Sequence, residues 1–203
     1  MLNIKKISSK THIKKYFEGI KDISENMNEK DIESLAKALE KIKKRNGRLF
    51  FLGVGGSAGN SSHAVNDFRK LCEIESYTPT DNVSELSARI NDDGWNSSFA
   101  EWLRVSKLNK KDAIFILSVG GGNLKKKVSL NLVEAIKYAL KKKSKIFGIV
   151  GRDGGFTKIY GDEVIVIPNI NSNLVTPFAE AYQAVIWHCL VSHPLLQEVK
   201  TKW

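Results

Sequence analysis

The sequence predicts an α/β protein, a three-layer αβα sandwich whose parallel sheet is covered by helices on both faces. Two observations lead there. Short runs of Leu, Ile, Val and Phe, such as Leu49–Leu52 and Ala113–Leu117, are apolar throughout, as strands buried on both faces are. Longer amphipathic segments separate them, and such alternation gives parallel strands joined by helical crossovers. At 203 residues with 42% apolar and 27% charged residues, one domain with its own core is expected, residues 1–203. It divides into an N-terminal helical segment, 1–47, and an α/β core, 48–203.

In chain order, residues 3–21 place Ile4, Ile7, Ile13, Phe17 and Ile20 on one helical stripe among lysines. A second helix carries Ile32, Leu35, Ala36, Leu39 and Ile42 at spacings of three and four, with Asp31 as its cap and Gly47 at its end. The strand Leu49–Leu52 then runs into Gly53-Val54-Gly55-Gly56-Ser57 and a helix over 58–73. A weak strand lies near Ser76–Thr80, and helices over 84–90 and 97–107 flank Asn91-Asp92-Asp93-Gly94-Trp95-Asn96. Ala113–Leu117 leads into Ser118-Val119-Gly120-Gly121-Gly122-Asn123 and a helix over 125–143. Strands at Lys145–Val150 and Glu163–Ile167 bracket the turn Gly151–Gly155, and Thr176 caps a final helix over 177–193 with Pro177 in its first turn.

Right-handed crossovers gather the loops 53–57, 118–123 and 151–155 at the carboxyl ends of the strands, where such sheets bind ligands. A glycine-rich turn opening a helix is an anion site, because backbone amides come close and the helix start is partly positive. Gly53, Gly55 and Ala58 also fit a dinucleotide spacing, with Glu73 or Glu75 roughly 20 residues on. The second loop favours a phosphate monoester held from both sides.

The net charge of +10 is concentrated in part in Lys125–Lys127 and Lys141–Lys143, at the two ends of the predicted helix. Aromatics do not alternate with these lysines, so a small anionic ligand is expected rather than nucleic acid. No window has the roughly 18 apolar residues of a membrane span, and no export signal precedes the first helix, so a cytoplasmic protein is expected. Cys72 and Cys189 read as reduced core thiols.

Gly55-Gly56-Ser57, the helix bearing His63, Asn91-Asp92, the Ser118 loop and the terminal helix with His188 together resemble the sugar isomerase (SIS) domain. The likeness is greatest to its phosphoheptose isomerase branch and runs from about residue 30 to 195. It implies a five-stranded parallel sheet, a homotetramer with active sites at subunit contacts, and no required cofactor, with zinc bound in some members. The implied reaction interconverts sedoheptulose 7-phosphate and D-glycero-D-manno-heptose 7-phosphate for surface polysaccharide. A non-catalytic phosphosugar-binding module of the same family is the alternative.

The resemblance assigns phosphate and substrate contacts to Gly55, Gly56, Ser57, Asp92, Ser118, Gly120, Gly121 and Asn123. Three departures stand out. The family's second loop usually reads Ser-Thr-Ser-Gly-Asn-Ser, its glutamate four residues after the histidine is Asp67 here, and its glutamine eight residues before the terminal histidine is Glu180. Proton transfer through an enediol needs an acid and a base. His188 is one candidate, with Glu180 or Asp67 as the base, and His63, Asp67, Glu180 and His188 are the candidate zinc ligands. Glu180 and His188 are separated by roughly 12 Å of helix rise, so sharing an ion would take a kink or two subunits. A polar helix face opposite a core face can equally be plain solvated surface.

Overall fold

The structure, a computed structural model, describes residues 9–201. Five strands, β1 (Leu49–Leu52), β2 (Ser76–Tyr77), β3 (Ala113–Ser118), β4 (Lys145–Val150) and β5 (Glu163–Val166), form one parallel sheet in the order β2-β1-β3-β4-β5. Eight α-helices accompany them: α1 (Ser9–Glu25), α2 (Glu29–Lys44), α3 (Gly56–Cys72), α4 (Val83–Asp93), α5 (Ser98–Val105), α6 (Leu130–Lys142), α7 (Gly155–Tyr160) and α8 (Val175–Val191).

Both sheet faces are dry. Leu49, Phe51, Phe115 and Leu117 pack with residues of α2, α3 and α8, while Phe50, Leu52, Ile114 and Ile116 pack with α5 and α6. Phe51, Phe115 and Phe147 stand opposite one another on three neighbouring strands. Their rings meet edge to face at 4.8 and 6.4 Å, a favoured geometry for aromatic pairs. At the amino-terminal edge, Asp112 is buried and accepts from the Arg48 backbone N–H and guanidinium and from Asn109, so its charge is paired and its oxygens are bonded.

Several expectations need correction. The helix expected at 125–143 begins only at Leu130, because Asn123 and Val128 pair as an antiparallel bridge and the Asn123 side chain accepts from the Lys126 N–H. Lys125–Lys127 therefore lie on a turn rather than at a helix end. Asn28, not Asp31, caps α2. α8 starts at Val175 with Leu174 at its cap, so Thr176 and Pro177 lie inside its first turn, where an amide has no helical acceptor to lose. Asn91–Asp93 close α4 instead of forming a loop, and the short helix α7 follows a turn for which no helix was expected. Ile4 and Ile7 lie outside the described residues, and Ile13 and Phe17 face outward; α1 instead buries Gly19 and Ile23.

One of the two cysteines also differs from expectation. Cys72 is buried and Cys189 is exposed, because Cys189 lies on the outer stripe of α8 with Val185 and His188. Burial pushes the Cys72 thiol up to about 12, which keeps it in the unreactive protonated form. A thiol reagent at pH 8 should therefore label Cys189 in the folded protein, and Cys72 only after denaturation. Peptide mapping of the labelled protein checks this.

Two glycines hold the loops at the carboxyl edge. Gly55 has φ +64 and ψ −128, outside the left-handed helical region, with open space around it, so Gly55→Ala should cost about 1–3 kcal/mol through backbone strain alone. A Cβ on Gly121, φ +66, would stand 1.9 Å from the Gly154 carbonyl oxygen. Gly121→Ala should destabilise the chain further, as overpacking against backbone adds to strain. Paired urea-unfolding curves of the two variants give the ranking.

Candidate functional site

β1 has β2 on one side and β3 on the other, so the chain leaves β1 and β3 toward different faces of the sheet. A crevice opens at the carboxyl ends where the winding reverses. It holds a cleft of about 740 Å³ whose wall includes Ser57, Ser118, Gly120 and Asn123, four of the eight expected phosphate and substrate contacts.

The first loop leaves backbone amides without acceptors at a helix start, an arrangement suited to an anion. The Gly55 carbonyl accepts from the Ala58 and Gly59 amides, which leaves the Gly56 and Ser57 N–H groups at the uncapped start of α3. The second loop is braced from behind. Ser118 Oγ accepts from the Gly121 N–H, the Gly121 carbonyl accepts from the Thr157 N–H and hydroxyl, and the Gly122 carbonyl accepts from the Phe156 N–H. Gly121 is thereby turned into the packing against the 151–155 loop and does not reach the cleft wall, and neither do Gly55 and Gly56. Asp92 is exposed on α4, where it accepts from the Asn91 side chain at 2.8 Å. It lies off the cleft because α4 follows the edge strand β2, outside the crevice.

A second cluster lies further along α3. His63 and Asp67, one turn apart, meet His188 of α8, with one candidate ligand atom from each within 4.8 Å of the others. Asp67 Oδ2 is 3.8 Å from His63 Nε2 and 3.9 Å from His188 Nε2. The other Asp67 oxygen accepts from Asn66 Nδ2 at 2.7 Å. His188 Nδ1 is 2.8 Å from the Ala184 carbonyl, which can only accept, so Nδ1 carries a proton and Nε2 is turned toward Asp67. Trp187 is fully buried against the His63 ring and backs the group. From Ser57 to His63 the rise along α3 is about 9 Å, so one helix spans both ends of the site.

Glu180 does not join the cluster, which corrects the four-residue ligand set. Its carboxylate lies over the start of α3, where a Cβ on Gly56 would be 2.5 Å from Oε2. A carboxylate there complements the partial positive charge of another helix, not of its own. Its backbone carbonyl accepts from Asn60 Nδ2, which also donates to Gln183. Glu73 and Glu75 flank the amino-terminal edge of the sheet, opposite the cleft, so the acidic half of the dinucleotide pattern is misplaced.

Lys126, Ser129, Arg152, Asn169 and Thr176 line the cleft without having been named as site residues from the sequence. The edge rule named the loop that carries Arg152 but gave no residue in it. Lys126 was visible only as part of a basic run.

The SIS domain family profile matches residues 15–151. The chain is 29% identical over 158 residues to the lincomycin biosynthesis protein LmbN of Streptomyces lincolnensis, covering 72% of this chain but only 56% of LmbN. It is 29% identical over 148 residues to a phosphoheptose isomerase of Buchnera aphidicola, 70% of this chain and 73% of that one. The structure of a phosphoheptose isomerase from Francisella tularensis superposes with a TM-score of 0.77 at 21% identity, covering 91% of this chain and 97% of the other, which establishes the shared fold. The profile match spans two thirds of the chain and includes β1, α3 and β3 with both glycine-rich loops, so this protein belongs to the SIS domain family.

Proposed function

We propose that the chain is an aldose–ketose isomerase acting on a phosphosugar, and specifically a phosphoheptose isomerase interconverting sedoheptulose 7-phosphate and D-glycero-D-manno-heptose 7-phosphate. The observation that carries this reading is the pairing, along one helix, of an anion-binding turn with the His63–Asp67–His188 cluster. The curated relatives named phosphoheptose isomerase support the choice of sugar.

In the proposed reaction Ser57, Ser118, Gly120 and Asn123 hold the phosphate, and the open-chain sugar extends along α3. The Asp67 carboxylate takes a proton from C1 of the ketose while His188, acting as the imidazolium, delivers its Nε2 proton to the carbonyl oxygen on C2 and keeps its Nδ1 proton on the Ala184 carbonyl. The resulting enediol gives up the proton of its C1 hydroxyl and accepts one at C2, which leaves an aldehyde at C1. Asp67 is preferred to Glu180 as base because it faces both imidazoles, whereas Glu180 lies toward the phosphate end. His63, Asp67 and His188 also form a donor set that would suit zinc, which would polarise the substrate's carbonyl oxygen; with zinc held there, Asp67 and His188 would be its ligands in place of the base and acid.

The N-terminal helices belong to the same domain in this reading, since Tyr182 of α8 bonds to Ser24 and to the Ile20 carbonyl, and Phe178 packs on Tyr16. A homotetramer accounts for Asp92, which would serve a neighbouring copy, and for a cleft wall that stops short of the His63 cluster. A cytoplasmic role in supplying heptose for surface polysaccharide completes the proposal.

Asp67→Asn should lower turnover of sedoheptulose 7-phosphate about a hundredfold or more, and Glu180→Gln should lower it less. NMR detection of the aldose measures both. A loss of only a few-fold for Asp67→Asn would remove it as the base, and tight binding of the sugar by the unmodified chain without conversion would identify a binding module instead. Zinc titration followed by calorimetry should show one site in the unmodified chain and none in His63→Ala.

A further inference from the structure

We propose that Lys126 and Arg152 carry the charge of the substrate's phosphate, in place of the hydroxyl donors that the second loop lacks. This rests on the phosphosugar reading above and extends it to the source of binding.

Between residues 118 and 123 only Ser118 has a hydroxyl, and its oxygen already accepts from the Gly121 N–H. One side-chain O–H is left in that loop for a ligand carrying close to two negative charges. The cleft compensates from its flanks. Arg152 extends from the loop after β4, which is tied to β3 by the Gly151 N–H donating to the Ser118 carbonyl. Its side chain runs beside the second loop, with Cδ 3.8 Å from where a Gly120 Cβ would stand. The glycine that replaces a hydroxyl residue therefore lies beside the stem of a guanidinium, which forms paired bonds to phosphate oxygens.

Lys126 enters the same wall on the turn that the Asn123–Val128 bridge closes, with its own N–H held by Asn123 Oδ1. Among the described residues neither Lys126 nor Arg152 is ion-paired with a carboxylate. Asp153 also lines the cleft, and one of its oxygens accepts from the Gly155 N–H at 3.1 Å, so two cations face one turn-bound carboxylate. Ser57, Ser129, Ser172 and Thr176 supply the remaining hydroxyls.

The test measures inorganic phosphate binding by calorimetry, and the KM for sedoheptulose 7-phosphate, in Lys126→Ala, Arg152→Gln and the double variant. Each single change should weaken phosphate binding about tenfold or more, and the double change further. Arg152→Lys and Lys126→Arg should recover part of the loss, and Lys141→Ala, at the far end of α6, should recover the unmodified affinity. Circular dichroism melting separates a folding defect from a binding defect. Equal phosphate affinity in the unmodified and doubly substituted chains overturns the proposal, as does an unmodified chain that binds no phosphate. Phosphate binding that depends on both residues in a chain that does not isomerise the sugar supports this inference and refutes the isomerase reading alone.

Discussion

The reversal of winding at β1 is the constraint on which the rest depends. With β2 on one side of it and β3 on the other, the loops that leave β1 and β3 separate above the sheet and leave a crevice. Ser57, His63 and Asp67 follow the first exit, and Ser118, Gly120 and Asn123 follow the second. The strands that fix them are buried on both faces and are locked together by the phenylalanine row Phe51, Phe115 and Phe147. A rigid sheet beneath the site is what a small polar ligand requires, since amides and side chains must be held in place before it arrives.

α3 turns this edge into a site with two ends. Its first amides are free for an anion, and two turns later it presents His63 and Asp67 on the face opposite Val65 and Phe68. α8 packs against it and completes the far end with His188, while Glu180, earlier on the same helix, returns to the start of α3. The two carboxylates that differ from the family pattern are thus separated in space. Asp67 belongs to the imidazole cluster and Glu180 to the anion end. A carboxylate there would oppose a phosphate bound nearby, a physical reason for cationic groups such as Lys126 and Arg152 in the cleft wall.

The second loop shows how a glycine run can replace hydroxyl residues without loosening the structure. Its carbonyls are tied to α7 through Thr157 and Phe156, and Gly121 allows the closest approach to the neighbouring turn. That bracing fixes the loop's shape but withdraws Gly121 from the cleft.

The sequence by itself determined the layers, the parallel sheet and the edge at which ligands bind, because apolar runs, glycine turns and crossover handedness are local or topological rules. It also placed His63 and Asp67 on the polar face of α3, since 3.6-residue periodicity is sufficient for that. The tertiary structure decided which of the candidate residues meet. His188 joins His63 and Asp67 because of how α8 crosses α3, and Glu180 is excluded by the same crossing. The late start of α6 followed from a bridge between Asn123 and Val128, and the exposure of Cys189 from the side of α8 that packing left outward. Gly55–Gly56–Ser57 raised the expectation of an anion by its own chemistry, and of the three only Ser57 lines the cleft. Arg152 and Lys126 reach the same cleft only because β4 and the turn before α6 fold beside β3, a proximity that no spacing in the chain encodes.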